Sequence, residues 1–272
     1  MPELALALLA GYFALGLATG FLAGLLGVGG GLIIVPVLIV RFHANGLAAG
    51  LEPQLALGTS LATILFTSLS SVRAHHRHGV VDWVLVRRIA AGAVGGTLLG
   101  ALVAARVPGL ALKIFFVLFL FYAAFQMWMD FKPAPHRGLP GPAGTTVAGG
   151  VIGAVSSWVG IGGATLSVPF MLWHNVPLHR AIGTASAIGF PIAAAGAAGY
   201  LWGGWHVAGL PPGSLGFIYL PALAGIALGS VLTAPLGART THRLPVRRLK
   251  RIFALLLIVL ALRMLWTLQP AG

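Results

Sequence analysis

Two apolar stretches of this chain are broken by the same run of glycines: residues 27–36 read GVGGGLIIVP and residues 160–169 read GIGGATLSVP. A helix in hydrocarbon satisfies its own backbone groups, and a glycine run interrupts that ladder while permitting left-handed φ. The fold must therefore bring two interrupted helices to a place where their bared amides find partners. Matched breaks of this kind are how membrane carriers build ion sites.

The solvent for such a fold is lipid. Hydrophobic residues make up 58% of the 272 and charged residues 8%, against about a quarter in soluble domains. The mean hydropathy is +0.96. Long runs of Leu, Ala, Val, Ile and Gly suit helices, whereas barrel strands would alternate polar and apolar residues. There is no cysteine, which removes disulfides, thiolate metal sites and cysteine nucleophiles. No cofactor or metal is expected. Only Glu3 precedes the apolar stretch from Leu4 to Leu26, so the first segment reads as a retained helix, not a cleavable signal.

The net charge of +13 is carried on a few loops. Arg73, Arg77, Arg87 and Arg88 flank one, and Arg239, Arg243, Arg247, Arg248, Lys250 and Arg251 crowd another. The positive-inside rule and contact with anionic lipid account for this placement, and nucleic acid is not expected as a partner.

Punctuation by Gly, Pro and charge marks six spans near 54–73, 84–104, 111–130, 179–201, 214–238 and 249–268. The regions 4–42 and 144–175 each read as a helix, a break and a half-helix. The repeat extends to Gly58-Thr59-Ser60 against Gly183-Thr184-Ala185-Ser186, and to Lys113 and Phe116 against Lys250 and Phe253. An N-terminal repeat over 1–130 and a C-terminal repeat over 144–272 are then joined by a polar, proline-rich linker at 131–143. Basic loops in one repeat correspond to loops poor in Lys and Arg in the other, which predicts an inverted repeat. The expected fold is an all-α polytopic membrane protein of two four-unit halves, each a Gly-broken re-entrant hairpin plus three transmembrane helices. Both termini then lie outside.

The breaks predict an anion site. The first turn of a helix presents N–H groups without intrahelical acceptors and about half a unit of positive charge. Gly29, Gly30 and Gly31 at the first break, and Gly162, Gly163 and Ala164 at the second, are the candidates for backbone contact with the guest. Thr59, Ser60, Ser156, Ser157, Thr184 and Ser186 are the candidate hydroxyl donors, with Thr165 and Ser167 following the second break. The unmatched Ser68, Ser70, Ser71, Thr97 and Ser230 read as ordinary intrahelical hydroxyls bonding their own i−4 carbonyls.

The acids Glu3, Glu52, Asp82 and Asp130 all fall at expected span ends or loops. A cation or metal-ion carrier would normally place a carboxylate mid-membrane. An intramembrane enzyme would need a polar catalytic constellation, and a scaffold would not need twice-repeated breaks. His75, His76 and His78 read as a solvated basic loop, whereas His174 and His206 could couple transport to protons. Trp83, Trp128, Trp202, Trp205 and Trp266 mark interfaces.

The sequence resembles the sulfite exporter TauE/SafE family. The features that carry the resemblance are the run from Gly20 to Pro36, Gly58 to Ser60, the second copy at 150–169, Gly183 to Ser186, Gly189 to Pro191, and the approach from Leu244 to Arg251. The second copy has Ala164 where the first has Gly31. The resemblance implies a permease of the bacterial inner membrane for a small sulfur-containing anion: sulfite, thiosulfate, sulfoacetate or another organosulfonate. Alternating access would then come from the two halves rocking about an anion held between opposed half-helix ends.

Overall fold

A computed structural model describes residues 2–26, 30–129, 138–240 and 246–266. Ten helices account for nearly all of them: α1 (Pro2–Leu26), α2 (Gly31–Ala44), α3 (Glu52–Arg77), α4 (Trp83–Ala104), α5 (Gly109–Met129), α6 (Pro142–Val159), α7 (Ala164–Trp173), α8 (Leu178–Gly203), α9 (Leu220–Thr240) and α10 (Val246–Trp266). Both glycine runs interrupt the helix, as expected, and α2 and α7 are the short arms that follow.

Six helices are long and apolar enough to cross a membrane: α1, α3, α4, α5, α8 and α9. Five of these match expected spans. The sixth is α1, which at about 1.5 Å per residue is roughly 37 Å long and is more than one arm of a short hairpin. The expected last span forms α10, whose first turns carry Arg247, Arg248, Lys250 and Arg251 and so lower its apolarity. Pro142 and Ala143, expected in the linker, begin α6, because proline suits the first helical position where no N–H is needed. Residues 131–137 of that linker lie outside the described residues.

The expected span at 214–238 begins later, at Leu220. Before it, β1 (Ser214–Leu215) and β2 (Ile218–Tyr219) form an antiparallel hairpin, with Ser214 opposite Tyr219 and Leu215 opposite Ile218. Gly216 takes φ 53°, the left-handed conformation a two-residue hairpin turn requires. Its neighbour Phe217 is fully buried, with its ring 6.5 Å from that of Tyr200.

Helix directions follow from backbone contacts. Gly16, Gly20 and Gly24 of α1 sit against Ile226, Ser230 and Ala234 of α9, so the two run parallel. In the same way Gly92, Gly96 and Gly100 of α4 sit against Thr146, Gly150 and Ala154 of α6. Each set is spaced by four, the small-residue stripe that lets membrane helices approach backbone to backbone. Thr67 and Ser70 of α3 reach Ser230 and Val231 of α9. Gly199 and Gly203 of α8 meet Ala101 of α4 and Ala105, which caps it. The result is two trios, α1–α3–α9 and α4–α6–α8. They meet along α3 and α8, which run antiparallel, Gly58 against Tyr200 and Ser68 against Gly189. These two are the most buried of the six spans.

Charge pairs pin the ends. Glu52 was expected merely at a span end, but it is buried and lies 3.3 Å from His43 and 3.7 Å from Lys113, joining α2, α3 and α5. At the other end Asp82 caps α4 through the amides of Val84 and Leu85 and pairs with Arg180. The expected histidine loop is partly helical: α3 runs on to Arg77, burying His75, and His76 accepts from Trp83 Nε1. Trp83, Trp128, Trp202, Trp205 and Trp266 are all exposed at or beside helix ends.

A side chain on either glycine stripe meets backbone and not a flexible neighbour. Gly20→Leu and Gly96→Leu should each lower stability by about 1–3 kcal/mol or more. The check is thermal unfolding in detergent, with Gly95→Leu, which points into open space, expected to melt like the parent.

Candidate functional site

The two breaks have the same local conformation. Gly30 caps α2 at φ 73° and Gly163 caps α7 at φ 79°, aligned positions in the two glycine runs, and no side chain caps either helix. Both φ values favour glycine, since a Cβ there costs roughly 1–2 kcal/mol. The Gly30 carbonyl accepts from Ile33 and Ile34, and that of Gly163 from Leu166 and Ser167. The amides of Gly31 and Leu32, and of Ala164 and Thr165, head their helices and have no carbonyl of their own helix to bond.

The breaks also touch. A Cβ on Gly31 would collide with the carbonyl of Gly160, and Ser60 Oγ donates to that same oxygen at 2.8 Å. The head of α2 is thus packed against an electronegative atom of the second break. Gly30 lies against Thr19 of α1. Gly29 lies outside the described residues.

The candidate hydroxyls separate into three groups. Ser156 is fully buried, its Oγ has no hydrogen-bond partner, and it faces Gly163 at the start of α7. Thr165 and Ser167 on that first turn are also buried with unpartnered hydroxyls. Ala164 is buried beside them. Ser157 instead turns toward Gly100 of α4, donates to Ala154 at 2.7 Å, and its carbonyl accepts from Tyr200 Oη. Thr59 and Thr184 lie at opposite ends of the α3–α8 pair. Thr59 Oγ1 accepts from the amide of Tyr219 at 2.9 Å, and Thr184 Oγ1 accepts from the amide of Asp82 at 3.0 Å.

Those last two bonds define a device. Thr59 and its neighbour Gly58 hold the 214–219 hairpin against one end of α3 and α8, with Gly58 in contact with the Phe217 carbonyl. Thr184 and Gly183 hold the 79–82 segment against the other end, with Gly183 in contact with Val80. Each Gly-Thr pair fastens a plug just before a long helix of its own trio, α9 for Thr59 and α4 for Thr184.

Between the plugs, Thr67, Ser68 and Ser71 of α3, Ser186 and Gly189 of α8, Ala23 of α1 and Gly162 of the second break enclose a cavity of about 20 Å³. That volume holds about one water and is too small for a sulfur oxyanion. None of these lining residues is charged. Ser71 Oγ is buried without a partner, and Ser186 donates to Ile182 at 3.0 Å. Of the expected contacts, Gly162 and Ser186 border the cavity, while Gly31 and Ser60 form the junction between the breaks.

Sequence reasoning passed over Ser68 and Ser71. For Ser71 the available signal was register: Ser60, Thr63, Thr67 and Ser71 recur at three and four residues, one continuous face of α3.

The sequence profile described as Sulfite exporter TauE/SafE matches residues 12–264. A probable membrane transporter protein of Haemophilus influenzae is 38% identical, covering 92% of this chain and 95% of its own length. The probable membrane transporter proteins YunE of Bacillus subtilis and MJ0441 of Methanocaldococcus jannaschii are 27% and 25% identical. YunE covers 93% of this chain and 95% of its own length, and MJ0441 covers 92% of each. No solved structure gives a significant match.

Thr59→Val and Thr184→Val each leave a partly buried amide without its acceptor, at a cost of about 1–3 kcal/mol. Hydrogen exchange should rise at 214–219 in the first variant and at 79–82 in the second, each at its own end. Equal change at both ends would contradict the fastening role.

Proposed function

The chain belongs to the sulfite exporter TauE/SafE family and is a multi-pass membrane transporter, not an enzyme; from that premise we propose that its cargo is a small sulfur-containing oxyanion bound between α3, α8 and the second break. The observation that carries this reading is the lining of the small cavity: hydroxyls of Thr67, Ser68, Ser71 and Ser186 beside the broken backbone at Gly162, with no acid among them. Hydroxyls and helix-head amides donate to anionic oxygens without fixing a permanent counter-charge, which suits a guest that must also leave. A cation would find hydroxyl and carbonyl oxygens there but no carboxylate to balance its charge.

Alternating access then needs the cavity to open toward one plug at a time. We read residues 1–130 and 144–272 as inverted repeats, because corresponding helices run in opposite directions: α3 against α8, and α1 with α9 while α6 runs with α4. The bodies that move are the two trios and not the two sequence halves, since each trio joins helices from both halves through glycine stripes. Sliding of α1–α3–α9 past α4–α6–α8 along the α3–α8 seam would loosen a plug from the facing trio at one end, where the Phe217 amide donates to the Tyr200 carbonyl or the Val80 amide to that of His75, while its Gly-Thr fastening keeps it on its own trio.

In proteoliposomes loaded for sulfite or small organosulfonate flux, Ser71→Ala and Ser186→Ala should each weaken apparent affinity about tenfold, the value of one hydrogen bond to a charged oxygen. Ser157→Ala, which faces α4, should leave affinity unchanged. Gly162→Leu should abolish flux, and undiminished flux in that variant contradicts the site.

A further inference from the structure

We propose that the face between α3 and α9 binds one anionic phospholipid, its phosphate held by Arg73, Arg77 and Arg239 and its acyl chains laid along the apolar groove that runs from them. The two helices diverge toward their C-terminal ends around a cavity of about 510 Å³, into which α3 contributes Arg73, Arg77 and Ser70 and α9 contributes Arg239. A second groove of about 650 Å³, lined almost wholly by apolar atoms, shares Phe66 and Val231 with the first and continues along α9 past Leu228 to Leu220. Together they form one channel, basic at the membrane surface and apolar below it.

Charge accounts for the head. The two acids whose side chains are described, Glu52 and Asp82, are paired with His43, Lys113 and Arg180. Among the described residues the three arginines of the cavity therefore have no carboxylate partner. Three unpaired guanidiniums on adjacent helix ends repel one another until an anion joins them, and a phosphate accepts from several at once. They lie at the end of the bundle where α3 ends and the Arg87–Arg88 segment of α4 begins, the basic end that faces an anionic leaflet.

The floor excludes the other occupants. A soluble oxyanion would gain nothing from Phe66, Leu228 and Val231, which are exposed to the hydrocarbon. A second copy of this chain would set like-charged clusters face to face. At the corresponding place on the other trio, Gly196, Gly199 and Gly203 let α8 close on α4 and its C-terminal cap.

The test is native mass spectrometry of the purified full chain with phosphatidylglycerol or phosphatidylcholine of equal chain length. Phosphatidylglycerol should be retained in preference, and Arg73→Gln, Arg77→Gln and Arg239→Gln should each reduce that preference about fivefold. Arg88→Gln, at the same end but outside the channel, should not. Val231→Trp should reduce retention of phosphatidylglycerol by filling the groove, and glycerol 3-phosphate, a headgroup without chains, should not displace it. Equal retention of the two lipids, an equal effect of Arg88→Gln, or displacement by glycerol 3-phosphate would each overturn the assignment. All five positions are exposed or half-exposed, so the variants should melt with the parent.

Discussion

Everything in this molecule is arranged around one backbone contact, the head of α2 against the carbonyl of Gly160, with Ser60 donating to the same oxygen. Two helices are interrupted inside a low-dielectric interior, where a polar backbone group left unmade costs several kcal/mol. Bringing the breaks together packs the head of α2 against the Gly160 carbonyl, whose hydrogen bond comes from Ser60 of α3. Only glycine at position 31 permits the approach, and only left-handed glycines at 30 and 163 let α2 and α7 start from it. The unpartnered hydroxyls of Ser156, Thr165 and Ser167 gather at the second break.

The helices around the breaks are interlocked across the chain. The first broken helix packs on α9 and the second on α4, so neither half of the sequence encloses a core by itself. This exchange places α3 and α8 side by side at the centre, with a plug at each end fastened by a Gly-Thr pair. The two fastenings, Thr59 to the Tyr219 amide and Thr184 to the Asp82 amide, stand at opposite ends of that seam, and neither uses a charged side chain as its acceptor.

The breaks and the long helices could be read from residues 27–36, 160–169 and the apolar runs, because loss of an internal hydrogen-bond ladder in lipid has few solutions. Partners in space could not. Thr59 and Thr184 looked like ligand donors by their repetition, yet their hydroxyls accept the amides of Tyr219 and Asp82, more than a hundred positions away. Ser156 and Ser157 looked equivalent, but one residue of helix rotation of about 100° sends the first to the break and the second to α4. Glu52 was expected at a span end, and it is buried there between His43 of α2 and Lys113 of α5. In each case the missing information was which face of a helix meets which neighbour. The four-residue glycine stripes of α1 and α4 held part of it.

The central claim is the position of the guest. An experimental density map of the protein in lipid nanodiscs, recorded with saturating sulfite or a small organosulfonate, tests it directly. The account predicts one compact anion between Ser71, Ser186 and Gly162, with the cavity enlarged and one plug displaced. Saturating ligand that leaves this cavity closed and empty, or that binds elsewhere along α3 and α8, would contradict it.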